Sequence, residues 1–183
     1  KVLGYFCSSM SEEIMTAAGL LPFRMRATGS TDTELSDACL SSINCSFTRH
    51  CLNVALSGEL DFLDVLIVPN SCYNVRRIYD HWIRQMQTPF VQMISLPRKA
   101  GEAQVSWFRE EINKLKGCME EHFGVEITDE RLWEAIRLHN ETRRLQRRLY
   151  DLRKSMAPPI TGAETLTVTV AGTAMPKARY NQL

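Results

Sequence analysis

Asp64-Val65-Leu66-Ile67-Val68 reads as a strand with no wet face. Four consecutive aliphatic residues leave neither side of the pleat polar, which marks a parallel strand buried between two layers of helix. The flanks agree. Upstream, Phe47 to about Leu56 has helical spacing and closes at Ser57-Gly58. Downstream, Tyr73 to Met86 sets Val75, Ile78, Tyr79 and Trp82 at amphipathic intervals. Further out, Val2 to Phe6 is a short apolar run. Ser11-Glu12-Glu13 then offers a capping hydroxyl and two first-turn acids, and Gly19 stops the helix they open. Phe23 to Arg26 is the second expected strand, followed by a Gly/Ser/Thr-rich loop through Thr33; Thr88-Pro89 opens a last one, Phe90 to Ile94, which Leu96-Pro97 ends. Strands alternating with helices predict an α/β fold, a flavodoxin/Rossmann-like parallel sheet domain over residues 1–97 with helices on both faces.

After Pro97 the pattern becomes helical. Val105, Phe108, Ile112, Leu115 and Met119 recur at helical spacing within Glu102 to Phe123, and Gly124 breaks the run. Thr128-Asp129-Glu130 starts another helix, which runs through Leu132, Ile136, Leu145 and Leu149 to about Lys154 and is closed by Ala157-Pro158-Pro159. The two are expected to form an antiparallel pair, making residues 98–183 a helical segment. Thr161 to Leu183 is open to two readings. Leu166-Thr167-Val168-Thr169-Val170 alternates like a strand, yet fits a helix in a helical lobe.

Composition narrows the function classes. A chain of 183 residues, 44% hydrophobic and 23% charged, can bury a core without disulfide staples. Its 22 basic and 21 acidic residues leave a net charge of +1, so no global field draws it to nucleic acid or to an anionic membrane. No apolar run is long enough to span a bilayer, and nothing near Lys1 reads as a signal peptide. The expectation is a soluble cytoplasmic protein whose six cysteines, Cys7, Cys39, Cys45, Cys51, Cys72 and Cys118, are free, metal-bound or catalytic. No two form a C-x-x-C pair, so a metal site has to be assembled in space.

In open parallel sheets, ligands bind at the carboxyl ends of the strands. Cys7 follows the first strand, Cys72 follows the Val65-to-Val68 strand and precedes a helix, and Cys45 lies just before the helix near Phe47. A helix N-terminus offers unpaired N–H groups and the positive dipole end, which favours the thiolate that binds metal. Position therefore nominates Cys7, Cys45 and Cys72, while Cys39, Cys51 and Cys118 fall in helical patterns and read as packing residues. His50, His81, His122 and His139 are scattered and read as surface or satisfied helix residues. Arg143, Arg144, Arg147, Arg148, Arg153 and Lys154 form the densest basic run. It could hold the phosphates of a nucleotide-like ligand or form a solvated face paired to Glu141 and Asp151.

Longer stretches resemble a known family. Gly4-Tyr5-Phe6-Cys7-Ser8 through Glu12-Glu13-Ile14, then Ala17-Ala18-Gly19-Leu20-Leu21-Pro22-Phe23-Arg24, is similar to the opening of 2-hydroxyacyl-CoA dehydratase and benzoyl-CoA reductase subunits. So are Cys45-Ser46-Phe47, Leu56-Ser57-Gly58-Glu59-Leu60-Asp61-Phe62-Leu63-Asp64, Val68-Pro69 with Cys72, Asn140-x-x-Arg143, and Pro158-Pro159-Ile160-Thr161-Gly162 with Glu164. Two positions depart from the common pattern: Ser11 stands where a proline is common, and Tyr73 where an aspartate is frequent. The resemblance, to subunits of the 2-hydroxyglutaryl-CoA dehydratase D-component type, runs over essentially the whole chain.

The resemblance implies a [4Fe-4S] cluster held by three cysteines, with Cys45 and Cys72 matching the first two. The third lies in a second α/β domain outside this chain. It implies one-electron reduction of a CoA thioester to a ketyl-type radical, with loss of water from a 2-hydroxyacyl-CoA or reduction of an aromatic ring. It also implies a homologous second subunit and an ATP-hydrolysing iron–sulfur activator protein as partners, and an acyl-CoA substrate. Ser8 and Ser9, at the end of the first strand, are placed to hydrogen-bond substrate or else to cap the following helix. The fragment alone is expected to be inactive. Two other classes stand beside this one: a cluster-free interaction or scaffold domain, and a flavodoxin-like nucleotide binder, which lacks a phosphate loop.

Overall fold

The computed structural model describes residues 1–183. Chain order is β1 (Val2–Tyr5), α1 (Glu12–Ala17), β2 (Leu21–Arg24), α2 (Glu34–Asp37), α3 (Ser46–Leu56), β3 (Val65–Asn70), α4 (Tyr73–Gln85) and β4 (Phe90–Ser95). Four helices follow: α5 (Glu102–Phe123), α6 (Asp129–Leu152), α7 (Gly162–Ala171) and α8 (Lys177–Tyr180). The four strands form one wholly parallel sheet in the order β2-β1-β3-β4. No helix is long and apolar enough to cross a membrane.

β3 is the buried axis. Val65, Leu66, Ile67 and Val68 are fully buried, and the two faces of the strand feed two separate cores. Leu3, Tyr5, Val65 and Ile67 pack with α1, Leu115 and Met119 of α5, and Ala135 of α6. Phe6, Leu66 and Val68 pack against Cys51, Val54 and Ala55 of α3 and Val75, Ile78 and Trp82 of α4. Fully burying one such aliphatic side chain contributes roughly 1.5–3 kcal/mol. Between the layers Gly4 leaves room for its neighbours: a Cβ there would meet Leu63 Cδ1 at 2.9 Å and Met25 Sδ at 3.0 Å.

Several sequence expectations shift. β2 begins at Leu21, two residues before the expected Phe23, because Leu21 N–H donates to Lys1 O and so joins the ladder early. Pro22 is tolerated there since β2 is an edge strand and needs no second partner. β3 runs two residues past Val68, because β4 stays paired with it through Pro69 and Asn70 after β1 has left at Ile67. The short helix α2 was not expected at all; Asn53 Oδ1 accepts from the Leu35 and Ser36 N–H groups, and Arg49 holds Asp37 at 2.5 Å. Ser11 stands at the N-cap of α1, but its hydroxyl donates to the Glu13 carboxylate instead of accepting a backbone N–H.

In the helical segment, Thr128 caps α6 as expected, accepting from Arg131 N–H, and Gly124 turns the chain at φ +62. The expected antiparallel pair does not form. α5 lies against β4, whereas α6 crosses to α1, because its buried side chains Ala135, His139 and Thr142 face that helix and its surroundings. Val105, at the start of the α5 stripe, is 68% exposed. The open question over Leu166–Val170 resolves as helix. Thr161 and Glu164 form a capping box, and the hydroxyls of Thr165, Thr167 and Thr169 donate back to carbonyls four residues earlier.

A polar knot fastens α6 and α8 to α1. The Glu12 carboxylate accepts from Tyr5 Oη and from Lys177 Nζ at 2.7 Å, and Lys177 also donates to Gly172 O at 2.5 Å. His139 Nε2 lies 2.9 Å from Thr16 Oγ1, and its Nδ1 is 3.5 Å from Glu12. Arg143 pairs across to Glu13 and also donates to Asn140 Oδ1 on its own helix at 2.8 Å, while Glu141 takes Arg144 and Asp151 takes Lys154. Burial works against the Glu13 carboxylate, but hydrogen bonds from Arg143, its own backbone and Ser11 prevail and hold its pKa below the ordinary value.

Burial likewise lowers the His139 pKa; the attraction of Glu13 and Glu12 opposes this, and Lys177 and Arg143 reinforce it. The folded imidazole is therefore neutral at pH 7 and charges more readily once unfolded. Its contribution to stability is full above its ordinary pKa of 6.5 and declines as the pH falls below that value. One proton bounds the slope at about 1.4 kcal/mol per pH unit. Urea unfolding between pH 7 and pH 5.5 should show this loss in the native protein and a flatter profile in His139→Gln. An identical slope in the variant assigns the proton elsewhere.

Candidate functional site

The strand order reverses between β1 and β3, and the carboxyl ends of these two strands deliver the candidate residues. β1 runs out into Cys7 and Ser8; β3 runs out into Ser71 and Cys72. Cys7 Sγ and Ser71 Oγ lie 3.2 Å apart, which closes the gap between the two strand ends. Cys7 is also the one non-glycine residue with positive φ, at +65. That left-handed turn is strained for a residue with a Cβ and sends the chain sharply away from the sheet.

Cys45 and Cys72 occupy equivalent places. Cys45 is the N-cap of α3 and Cys72 the N-cap of α4, and both are exposed and free. Cys72 Sγ accepts from Val75 N–H at 3.5 Å, a weak sulfur cap. The two helix starts are tied directly, since Cys45 N–H donates to Asn74 Oδ1 at 3.1 Å. Phe47 of α3 meets Phe6, just past β1, edge to face with centroids 6.4 Å apart, which anchors the first turn of α3 beside the end of that strand. Two thiols thus stand at adjacent helix N-termini on the α3/α4 side of the switch point.

The other cysteines are elsewhere. Cys51 is fully buried, and burial, then the proximity of Cys45, pushes its thiol up to about 12. Cys118 is half-buried in α5, and Cys39 lies in the turn after α2 with its thiol on Ser36 O. No three Cys, His, Asp or Glu residues are grouped as a metal site. Two buried side-chain oxygens lack a hydrogen-bond partner, those of Asn44 and Asn70. One is the residue before Cys45 and the other is two before Cys72, so unmet polar capacity collects beside both exposed thiols.

On the opposite side of the β1 end lies a cleft of about 450 Å³. Tyr5 and Arg24 reach it from the ends of β1 and β2, Ser8 lines its rim, and Glu12, His139 and Lys177 belong to its wall. Neither Ser8 nor Ser9 caps α1, since Ser11 holds that position; both are exposed, and Ser9 falls outside the lining. Burial, then the hydrogen bond to Glu12 and its charge, raises the Tyr5 pKa, so the phenol keeps its proton and acts as a donor. Sequence reasoning singled out Ser8 here but missed Tyr5, Arg24, His139 and Lys177. These come from distant parts of the chain and carry no local pattern; the Glu12-Glu13 pair was read only as first-turn acids.

Residues 7–183 match the family described as 2-hydroxyglutaryl-CoA dehydratase, D-component. The chain belongs to that family. Over 185 aligned residues it is 27% identical to a benzoyl-CoA reductase subunit from Thauera aromatica, using all of this chain and 48% of the relative. It is 25% identical over 184 residues to the beta subunit of (R)-2-hydroxyglutaryl-CoA dehydratase of Acidaminococcus fermentans, again covering 100% of this chain and 48% of the relative. The beta subunit of (R)-phenyllactyl-CoA dehydratase of Clostridium sporogenes is 26% identical over 148 residues, 79% of this chain and 39% of the relative. The chain therefore spans about half the length of the first two of these family members.

The thiols should differ sharply in reactivity. With an aromatic disulfide reagent under native conditions, Cys45 and Cys72 are expected to be modified first, and Cys51 only after unfolding. Mass mapping of the labelled peptides over time checks the order; early labelling of Cys51 contradicts the packing of α3.

Proposed function

We infer that this chain is the N-terminal α/β portion and following helical segment of one subunit of an ATP-activated acyl-CoA dehydratase or reductase. In this reading it leads into a second α/β domain beyond residue 183. The observation that carries it is the pair of free, exposed thiols, Cys45 and Cys72, capping adjacent helices at the switch point of a parallel sheet. Family membership and three relatives whose names specify CoA thioesters support it.

The donor set fits an iron–sulfur cluster in part. Two thiols at helix N-termini suit thiolate ligation, and the third ligand comes from outside this chain. When bound, such a cluster supplies low-potential electrons for a thioester whose hydrogens are too weakly acidic for ordinary acid–base removal. The chain's own residues then have defined tasks. Cys45 and Cys72 hold the metal, and the helix starts orient them. Ser8, exposed at the rim of the cleft, offers a hydroxyl to the acyl-thioester end of the substrate; Ser9, exposed beside it but outside the lining, has no such place. The expected partners are a homologous second subunit and an ATP-hydrolysing iron–sulfur activator protein, in the cytoplasm.

A cluster-free interaction domain is the competing reading. Anaerobic reconstitution of the full-length protein with iron and sulfide separates the two. The native protein and Cys118→Ser should take up iron and sulfide with strong visible absorption, and Cys45→Ser and Cys72→Ser should lose most of both. Full absorption in both serine variants defeats the ligand assignment; no iron in any of the proteins favours the scaffold.

A further inference from the structure

The cleft at the end of β1 does not stop at Arg143. It continues into a second depression of about 450 Å³ along α6 that shares Arg143, Gln146 and Tyr150 with it and extends past Arg147 to Lys154. Arg143, Arg147 and Tyr150 recur at intervals of three to four, so they project from one face of the helix, over about 10 Å from first to last, and Lys154 follows in the turn past its end. The sequence left this basic run open between a solvated, internally paired face and a phosphate site. The pairing is uneven. Arg143 is held by Glu13 and Asn140, Arg144 by Glu141 and Lys154 by Asp151, but Arg147 has no hydrogen bond or ion pair to any residue of the chain. Beside it the Tyr150 ring is 54% exposed.

A planar aromatic face flanked by guanidinium groups suits a purine bearing phosphates, and a guanidinium binds phosphate oxygens through two parallel N–H donors. The inner end of the same groove reaches Ser8 at the strand end. An elongated ligand with a nucleotide at one end and an acyl thioester at the other matches that polarity.

We propose that the groove along α6 seats the phosphorylated nucleotide end of a CoA thioester, with the unpaired Arg147 on its phosphates and Tyr150 against its adenine, while Arg143, held by Glu13, marks the inner end of the groove. Lys154 closes the outer end, where it already holds the Asp151 carboxylate at 2.6 Å. The proposal rests on the acyl-CoA reading for its ligand, but not on the cluster. It assigns to α6 the recognition of the carrier and leaves the strand end to the acyl group.

Calorimetric titration of the metal-free full-length protein with CoA, dephospho-CoA and ADP tests it. CoA is expected to bind most tightly and ADP most weakly. Arg147→Gln and Tyr150→Ala should each raise the Kd for CoA about tenfold, the usual loss for one charge-assisted contact or stacked ring. Arg148→Gln removes the same charge from the next residue, which lines a separate apolar pocket, and should leave the Kd unchanged. Equal weakening by Arg147→Gln and Arg148→Gln reduces the effect to net charge and overturns the groove, as does binding that neither Arg147→Gln nor Tyr150→Ala alters. Tighter binding of ADP than CoA overturns the thioester as ligand. Cys118→Ser, remote from both the groove and the exposed thiols, should bind CoA normally. A failed groove with an intact cluster therefore refutes this inference alone, and normal groove effects without a cluster refute only the ligand assignment above.

Discussion

Everything in this molecule hangs on a strand that water cannot reach from either side. Once Val65 to Val68 are buried on both faces, helices have to cover each face, and right-handed parallel crossovers deliver them. Those crossovers leave every following helix starting at the same edge of the sheet. A helix start is where backbone N–H groups have no partner, so polar and anionic groups are favoured there. The burial of four aliphatic side chains thus determines where chemistry can be placed, well before any cysteine is considered.

That logic made much of the fold legible. β3, α3, α4, α5 and the start of α6 announce themselves through apolar period and capping residues, and the sheet follows from their alternation. What escaped was decided by contacts remote in sequence. Nothing near Pro22 reveals that β2 lies at an edge and can begin before it. The Thr/Val alternation of α7 is equally compatible with a pleat; the helix wins because threonine hydroxyls can return to the preceding turn and Thr161 with Glu164 caps it. The helical spacing of α6 marks an apolar face without naming what covers it, and α1, not α5, does so.

The site divides the same way. Cys7, Cys45 and Cys72 could be nominated from position because helix starts and strand ends can be read locally. Physical reasoning alone gave no preference among them, and family resemblance favoured Cys45 and Cys72. In the fold those two share one local setting, whereas Cys7 turns through a left-handed conformation against Ser71. The cleft on the other side was largely illegible. Tyr5, Arg24, His139 and Lys177 come together only when α6 and α8 have been laid over α1, and a lysine destined for burial looks in the sequence like any other.

The contact between Glu12 and Lys177 has a consequence for synthesis. Residue 12 leaves the ribosome long before residue 177, yet its carboxylate and the Tyr5 hydroxyl are set against a wall that α8 completes. A carboxylate cannot be enclosed without its cation except at a cost of several kcal/mol. While the chain is still growing, the first strand and helix can associate with β3 but cannot seal, and that end of the sheet stays hydrated. Closure comes with the arrival of α8, so Tyr5 and Glu12, made well before it, reach their final environment only then.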